Sequence, residues 1–148
     1  MTVKTILAAK GGEVVSIEPT ADLVAAAKLL TTRRIGVLVV IEDGGRLVGI
    51  LSERDIMRAL AENAGAALQL SVAQMMTRNV STCDVNDSIS SVLKRMTTGK
   101  FRHMPVLDNH LLVGLVSIGD IGKRQMETLL DHVHRLDECI DHIRLMKL

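Results

Sequence analysis

Residues 46–56 read Arg46-Leu-Val-Gly-Ile-Leu-Ser-Glu-Arg-Asp-Ile56, and residues 111–121 read Leu111-Leu-Val-Gly-Leu-Val-Ser-Ile-Gly-Asp-Ile121. Shifted by 65 positions, Leu47, Val48, Gly49, Ser52, Asp55 and Ile56 fall on Leu112, Val113, Gly114, Ser117, Asp120 and Ile121. Upstream the shift is 66, pairing Val14 with Val80, Leu23 with Ile89, Ala27 with Leu93, Leu30 with Met96, Ile35 with Phe101 and Val40 with Val106. The change of one residue falls where Glu42-Asp-Gly-Gly45 faces the shorter Asp108-Asn-His110. A hairpin tip is where a duplicated fold tolerates an insertion. The chain therefore reads as an internal duplication.

Each copy predicts the same elements. A short strand (Val14 to Ile17; Val80 to Cys83) precedes a helix that starts near an N-cap at Thr20 or Asp87, with apolar residues at helical spacing such as Leu23, Ala27 and Leu30. An apolar strand follows (Val37 to Ile41; His103 to Leu107), then a turn, a second strand (Leu47 to Leu51; Leu111 to Val116) and a second helix. One such unit is too small to cover both faces of its sheet, so two copies pack together, sheet to sheet, and leave a pseudo-twofold cleft. The expected class is α/β (α+β), with two βαββα repeats at residues 1–62 and 72–124, a linker rich in Ala and Gly at 63–71, and a C-terminal helix at 125–148.

Composition narrows the function. The 148 residues are 47% hydrophobic and 24% charged, a globular profile. Eighteen Lys and Arg against seventeen Asp and Glu leave a net charge of +1, so no global field holds nucleic acid or an anionic membrane. Phe101 is the sole aromatic residue, which leaves no stacking platform for single-stranded nucleic acid. Cys83 and Cys139 match neither a zinc spacing nor a disulfide framework and are expected to be reduced thiols. Without a signal peptide or an apolar run of about 20 residues, the expectation is a soluble cytoplasmic protein.

The repeated tail, Gly, two apolar residues, Ser, two variable residues and Asp, has a physical logic. The apolar pair ends a buried strand, the Ser sits at the strand-to-helix junction, and the Asp falls in the first helical turn, where exposed N–H groups favour an anion. An Asp there can also accept two hydroxyls, as acidic residues hold ribose diols in dinucleotide folds. Taken alone, either copy reads first as an ordinary capping box. The same pattern at matched positions in both copies adds the ligand reading to the capping one.

Tandem repeats of this kind, each ending in Gly-apolar-x-Ser-x-x-Asp, resemble the cystathionine β-synthase (CBS) domain pair, or Bateman module, of the stand-alone bacterial type; the resemblance covers about Met1 to Lys123. It implies that the Asp binds ribose hydroxyls, that the Ser reaches ribose or phosphate, and that the strand before the hairpin lines an adenine pocket. By position, Asp120, Ser117 and Gly119 mark one site, and Asp55, Ser52 and Arg54 the other. Arg102-His-Met-Pro105 resembles the family's basic-basic-apolar-Pro pattern, which places Arg102 and His103 near a phosphate; the guanidinium offers the bidentate, permanently charged contact. The matching Gly36, Val37, Leu38 and Val39 include no basic residue, so the first site needs a cation from Arg54, Arg33, Arg34 or Lys10. Two unequal sites result, with the Asp120 site expected to fill first. Met104 and Pro105 either face an adenine or simply pack within their strand. Ser16 and Thr82, on the first strands, complete the candidate set. Lys10-Gly-Gly12 and Thr77-Arg-Asn79 occupy matching loops that close over a ligand or stay solvated.

Beyond Gly122 the sequence predicts one long helix in which Leu129, Val133, Leu136, Ile140 and Ile143 are spaced by four, three, four and three, a heptad seam. It packs back on its own domain or, the preferred reading, pairs with a second copy in a homodimer. His132, His134 and His142 lie on this helix, the first two on different faces and His134 and His142 two turns apart, a spacing that gives a metal site little support. The expected function is a regulatory module that binds AMP, ADP, ATP or NAD(H), requires no cofactor, and signals by conformational change to a separate effector protein. The alternative is a constitutive dimerisation or scaffold domain. No nucleophile with a base, Walker loop or metal triad supports an enzyme.

Overall fold

The one-residue difference between the copies resolves into two hairpin turns. In the second copy Asp108 pairs with Leu111 across Asn109 and His110, whose φ angles are 50° and 66°, the left-handed pair that matches strand twist in a two-residue turn. In the first copy Glu42 pairs with Arg46 across three residues, with Gly44 and Gly45 at φ 90° and 84°. The computed structural model describes residues 1–147. Its elements are α1 (Val3–Lys10), β1 (Ser16–Ile17), α2 (Leu23–Arg33), β2 (Val37–Glu42), β3 (Arg46–Ser52), α3 (Glu53–Asn63), a 3-10 helix (Ala64–Gln69), α4 (Val72–Met75), β4 (Cys83–Asp84), α5 (Ile89–Gly99), β5 (His103–Asp108), β6 (Leu111–Ser117) and α6 (Ile118–Met146).

Two three-stranded sheets, ordered β1-β2-β3 and β4-β5-β6, carry the duplication in their register. Ile17 pairs with Val40 and Cys83 with Val106, both in parallel, and each hairpin has its register shift at the same place, Val40/Ile41 and Val106/Leu107. The N-caps are neighbours of those expected. Asp22 caps α2 through the Ala25 N–H, and Ser88 caps α5 through the Ser91 N–H. Asp87 is engaged one turn earlier, its Oδ2 accepting from the Asp84 N–H at 2.9 Å, and Thr20 lies in the turn before Asp22.

The two cores exchange their short helices. Leu23, Ala26, Leu30, Leu38, Val40, Leu51 and Ala59 of the first copy pack with Ala67, Val72 and Met76, which follow it in the chain. Val3 and Ile6 of α1 instead join Cys83, Ile89, Val92, Met96, Met104, Val106, Val116 and Ile121 in the second core. Backbone bonds hold the exchange at both places: the Leu23 N–H donates to the Leu70 carbonyl, and the Ile89 N–H to the Met1 carbonyl. Stretch 63–71, expected as a plain linker, is thus structural, because its 3-10 helix carries the buried Ala67.

Gly49 and Gly114 make this crossing fit. A Cβ on Gly49 would lie 2.5 Å from the Met76 sulfur, and one on Gly114 would lie 2.7 Å from Cδ2 of Leu7. These repeated glycines are therefore explained by a helix lying across a strand.

Candidate functional site

Both repeats deliver their Ser and Asp to a helix N-terminus as a complete capping box. At the start of α3, Oδ2 of Asp55 accepts from the Ser52 N–H at 2.8 Å and from its hydroxyl at 3.1 Å, while Oδ1 lies 3.2 Å from the Arg58 guanidinium. Asp55 is the one charged residue buried among the described residues. At the start of α6, Oδ2 of Asp120 accepts from the Ser117 N–H at 2.9 Å and from the Lys10 ammonium at 2.6 Å.

A cleft of about 520 Å³ opens beside Asp55 and draws on both repeats. The first repeat contributes Gly36, Val37, Ser52, Glu53, Arg54 and Asp55, and the second contributes Lys100, Phe101, Arg102 and His103; Thr77, Asn79, Val80 and Ser81 form the connecting wall. The cation that the first repeat lacks on its own strand is thus supplied across the pseudo-twofold by Arg102 and Lys100, in addition to Arg54. Arg33, by contrast, pairs with Glu13 at 3.3 Å, and Arg34 is the left-handed C-cap of α2. Phe101 and Lys100 were not expected in the site. Their signal in the sequence is adjacency to Arg102, together with Phe101 being the sole aromatic residue.

The Asp120 side is built differently. Lys10 is no loop residue: it ends α1, and Gly11 follows at φ 92° as the C-cap. In the first copy the Ile50 carbonyl accepts from the Thr77 N–H at 2.9 Å, whereas the matching Leu115 carbonyl accepts from the Lys10 ammonium at 2.8 Å. One ammonium therefore replaces a backbone bridge and neutralises Asp120. Burial pushes the Asp120 carboxyl up, but its bonds to Lys10 and Ser117 outweigh that and hold it below the ordinary carboxylate value. His103 is shifted down from 6.5 by burial first, then by Lys10 and Arg102, against the opposing pull of Asp120. Burial and the two nearby cations thus disfavour its protonated form.

Several expected ligand residues lie elsewhere. Met104 and Leu38 are fully buried in the two cores and Pro105 is buried beside Met104, so none of the three offers a face to an adenine. A strand covered on both faces buries successive side chains, as at Met104, Pro105 and Val106, which makes such a strand read like a pocket wall. Ser16 is exposed and pairs in register with Val39. Thr82 lines a separate groove with Arg46, Arg78 and His110, and its carbonyl accepts from Arg95. Gly119 is exposed in the first turn of α6. Among the described residues no cluster of three or more His, Cys, Asp or Glu could hold a metal ion, and no helix is long and apolar enough to cross a membrane.

Comparison with known proteins matches both halves. The CBS domain model fits residues 4–62 and 72–127. The crystal structure of the CBS-domain containing protein ATU1752 from Agrobacterium tumefaciens superposes with a TM-score of 0.82 at 40% identity, covering 84% of this chain and 99% of that one. The CBS domain pair of protein MJ0100, solved in complex with 5'-methylthioadenosine and S-adenosyl-L-methionine, has a TM-score of 0.77 at 29% identity over 86% of this chain and 98% of that one. Among curated proteins, an uncharacterized 17.7 kDa protein of Acidianus ambivalens is 31% identical over 75% of this chain and 66% of its own length. A homoserine O-acetyltransferase of Methanosphaera stadtmanae is 31% identical over 72% of this chain but only 21% of its own length. With its two segments matched in tandem, this chain belongs to the CBS domain family.

Proposed function

We propose that this CBS pair is a regulatory sensor that binds an adenosine-containing ligand, AMP, ADP, ATP or NAD(H), in the cleft beside Asp55. The observation that carries the reading is the meeting of Ser52 and Asp55 from one repeat with Lys100, Arg102 and His103 from the other in one cleft of about 520 Å³. A ribose diol takes the place of Arg58 on Oδ1 of Asp55, and its two hydroxyls donate to the buried carboxylate in place of the half-exposed guanidinium. Arg102 and Lys100 receive the phosphate, and Phe101 and Val37 offer apolar surface to the base. In this reading the Asp55 site fills first, in place of the Asp120 site expected from the sequence, because Asp120 already holds an internal cation. The MJ0100 pair, named with two adenosine-containing ligands, supports the ligand class.

Closing the cleft on a ligand that touches both repeats shifts their relative angle, provided the ligand binds the two arrangements unequally. The reading includes a homodimer, a separate effector protein, a cytoplasmic setting, and no catalysed reaction. Isothermal titration with AMP, ATP, NAD and S-adenosylmethionine tests it. Binding of at least one, weakened tenfold or more by Arg102→Ala, is expected. No binding at millimolar ligand overturns the proposal.

One observation favours the scaffold reading as the alternative. Both capping boxes are complete without a ligand, so Ser52, Asp55, Ser117 and Asp120 already have a structural role. Absence of binding with an intact dimer is the outcome that would select it.

A further inference from the structure

Residues 125–147 are exposed throughout, although α6 runs as one helix from Ile118 to Met146. Only its first turns reach the core, through the buried Ile121. The rest projects about 30 Å at 1.5 Å per residue. A lone helix of this length draws little stability from propensity, and most helices depend on a packed apolar face. Met126, Leu129, Val133, Leu136, Ile140 and Ile143 form such a face, each between 46% and 57% exposed.

The choice of residues along that face is specific. In heptad terms Met126, Val133 and Ile140 take position a, and Leu129, Leu136 and Ile143 take position d. Two of the three a residues, Val133 and Ile140, are β-branched, and two of the three d residues, Leu129 and Leu136, are Leu, the combination that favours two parallel strands. Charge agrees. Within this helix Arg124 pairs with Glu127 and Arg144 with Asp141, and the His134 ring lies 3.3 Å from Glu138, all away from the seam's core. His132 at position g and Asp137 at the following e have no ion-pair partner among the described residues. In a parallel, in-register pair each His132 faces Asp137 of the other copy. The full-length antiparallel overlap sets Asp137 beside Leu130 instead.

We infer that the occupant of this face is the α6 helix of a second copy, in a parallel, in-register, two-stranded coiled coil. The inference rests on the homodimer in the functional reading above and adds its geometry. It also makes α6 a single rod from the Ser117–Asp120 capping box to the dimer seam, so both nucleotide-binding pairs sit at the same end of the assembly.

Disulfide trapping in the full chain tests it, with Cys139→Ser as background. Leu129→Cys and Ile143→Cys, each oxidised alone, are expected to give covalent dimers on a non-reducing gel. An antiparallel pair cannot cross-link itself at both ends, so failure of either variant in a dimeric protein overturns the geometry. Light scattering separates the other failures. A wild-type chain monomeric at tens of micromolar overturns the homodimer as well. A dimer that survives Leu136→Asp but not Leu60→Asp, which lines the apolar groove between α2 and α3, places the contact in that groove and overturns the coiled coil. Nucleotide titration of Leu136→Asp reports on the Asp55 cleft independently.

Discussion

The Lys10 ammonium lies 2.6 Å from Oδ2 of Asp120, bringing the last residue of the first helix onto the first turn of the last. The pair is partly exposed, so its value to stability is at most ~1 kcal/mol. In the proposed reading its larger effect is on binding, since it occupies the carboxylate that the family resemblance assigns to a ribose. Lys10→Met is expected to raise ligand stoichiometry from one to two per chain, read by isothermal titration. A stoichiometry still at one would show that the second site is closed by something other than Lys10.

His103 makes both folding and binding depend on pH. Its folded value lies below the ordinary 6.5, so the unfolded chain takes up a proton more readily. The stability it contributes is present above 6.5 and is lost as pH falls through the folded value. Urea midpoints should therefore drop on acidification below pH 6.5, and less so in His103→Gln. A bound phosphate reverses the bias, because its negative charge favours the imidazolium. Titrations of AMP at pH 6 in buffers of different ionisation enthalpy should reveal proton uptake that His103→Gln removes.

The two thiols differ in reactivity by burial. Cys83 is packed in the second core and its thiol is pushed up to about 11, by burial first and then by Asp87, whereas Cys139 is exposed on α6. The thiolate is the nucleophile. At pH 8 iodoacetamide should label Cys139 and leave Cys83 unmodified, as mass spectrometry of peptides will show. Labelling of Cys83 at a similar rate would mean that the second core opens readily.

Gly49→Ala tests the crossing of Met76 over β3. The new Cβ would meet the Met76 sulfur at 2.5 Å and the Thr77 carbonyl oxygen at 3.0 Å. Overpacking of this kind costs about 1–3 kcal/mol, measurable by urea denaturation. Met76→Ala in the same chain should cost less than the two single changes together, because the cavity admits the methyl group.

The hairpins, the repeat register and the capping boxes were legible because each depends on neighbours close in sequence. Asn109-His110 and Asp43-Gly44-Gly45 announce turns, and Ser52 and Asp55 lie three residues apart. The exchange of α1 was not legible. Val3 pairs its N–H with the Asp87 carbonyl as Val72 does with the Ala21 carbonyl, so these helices align at a shift different from the repeat's own. That mismatch hides them. Arg102 and His103 were expected beside Asp120, and that they line one cleft with Asp55 depends on how one repeat sits on the other, which no local pattern encodes. Lys10 looked like a loop residue because its partner, Asp120, is 110 positions away.

The exchanged helices also decide what can be cut. A cleavage near residue 65 would leave an N-terminal fragment without Ala67, Val72 and Met76, and a C-terminal fragment without Val3 and Ile6. Each half would then expose the apolar groove its missing helix had filled. The duplicated chain is consequently one cooperative folding unit with an interlocked topology.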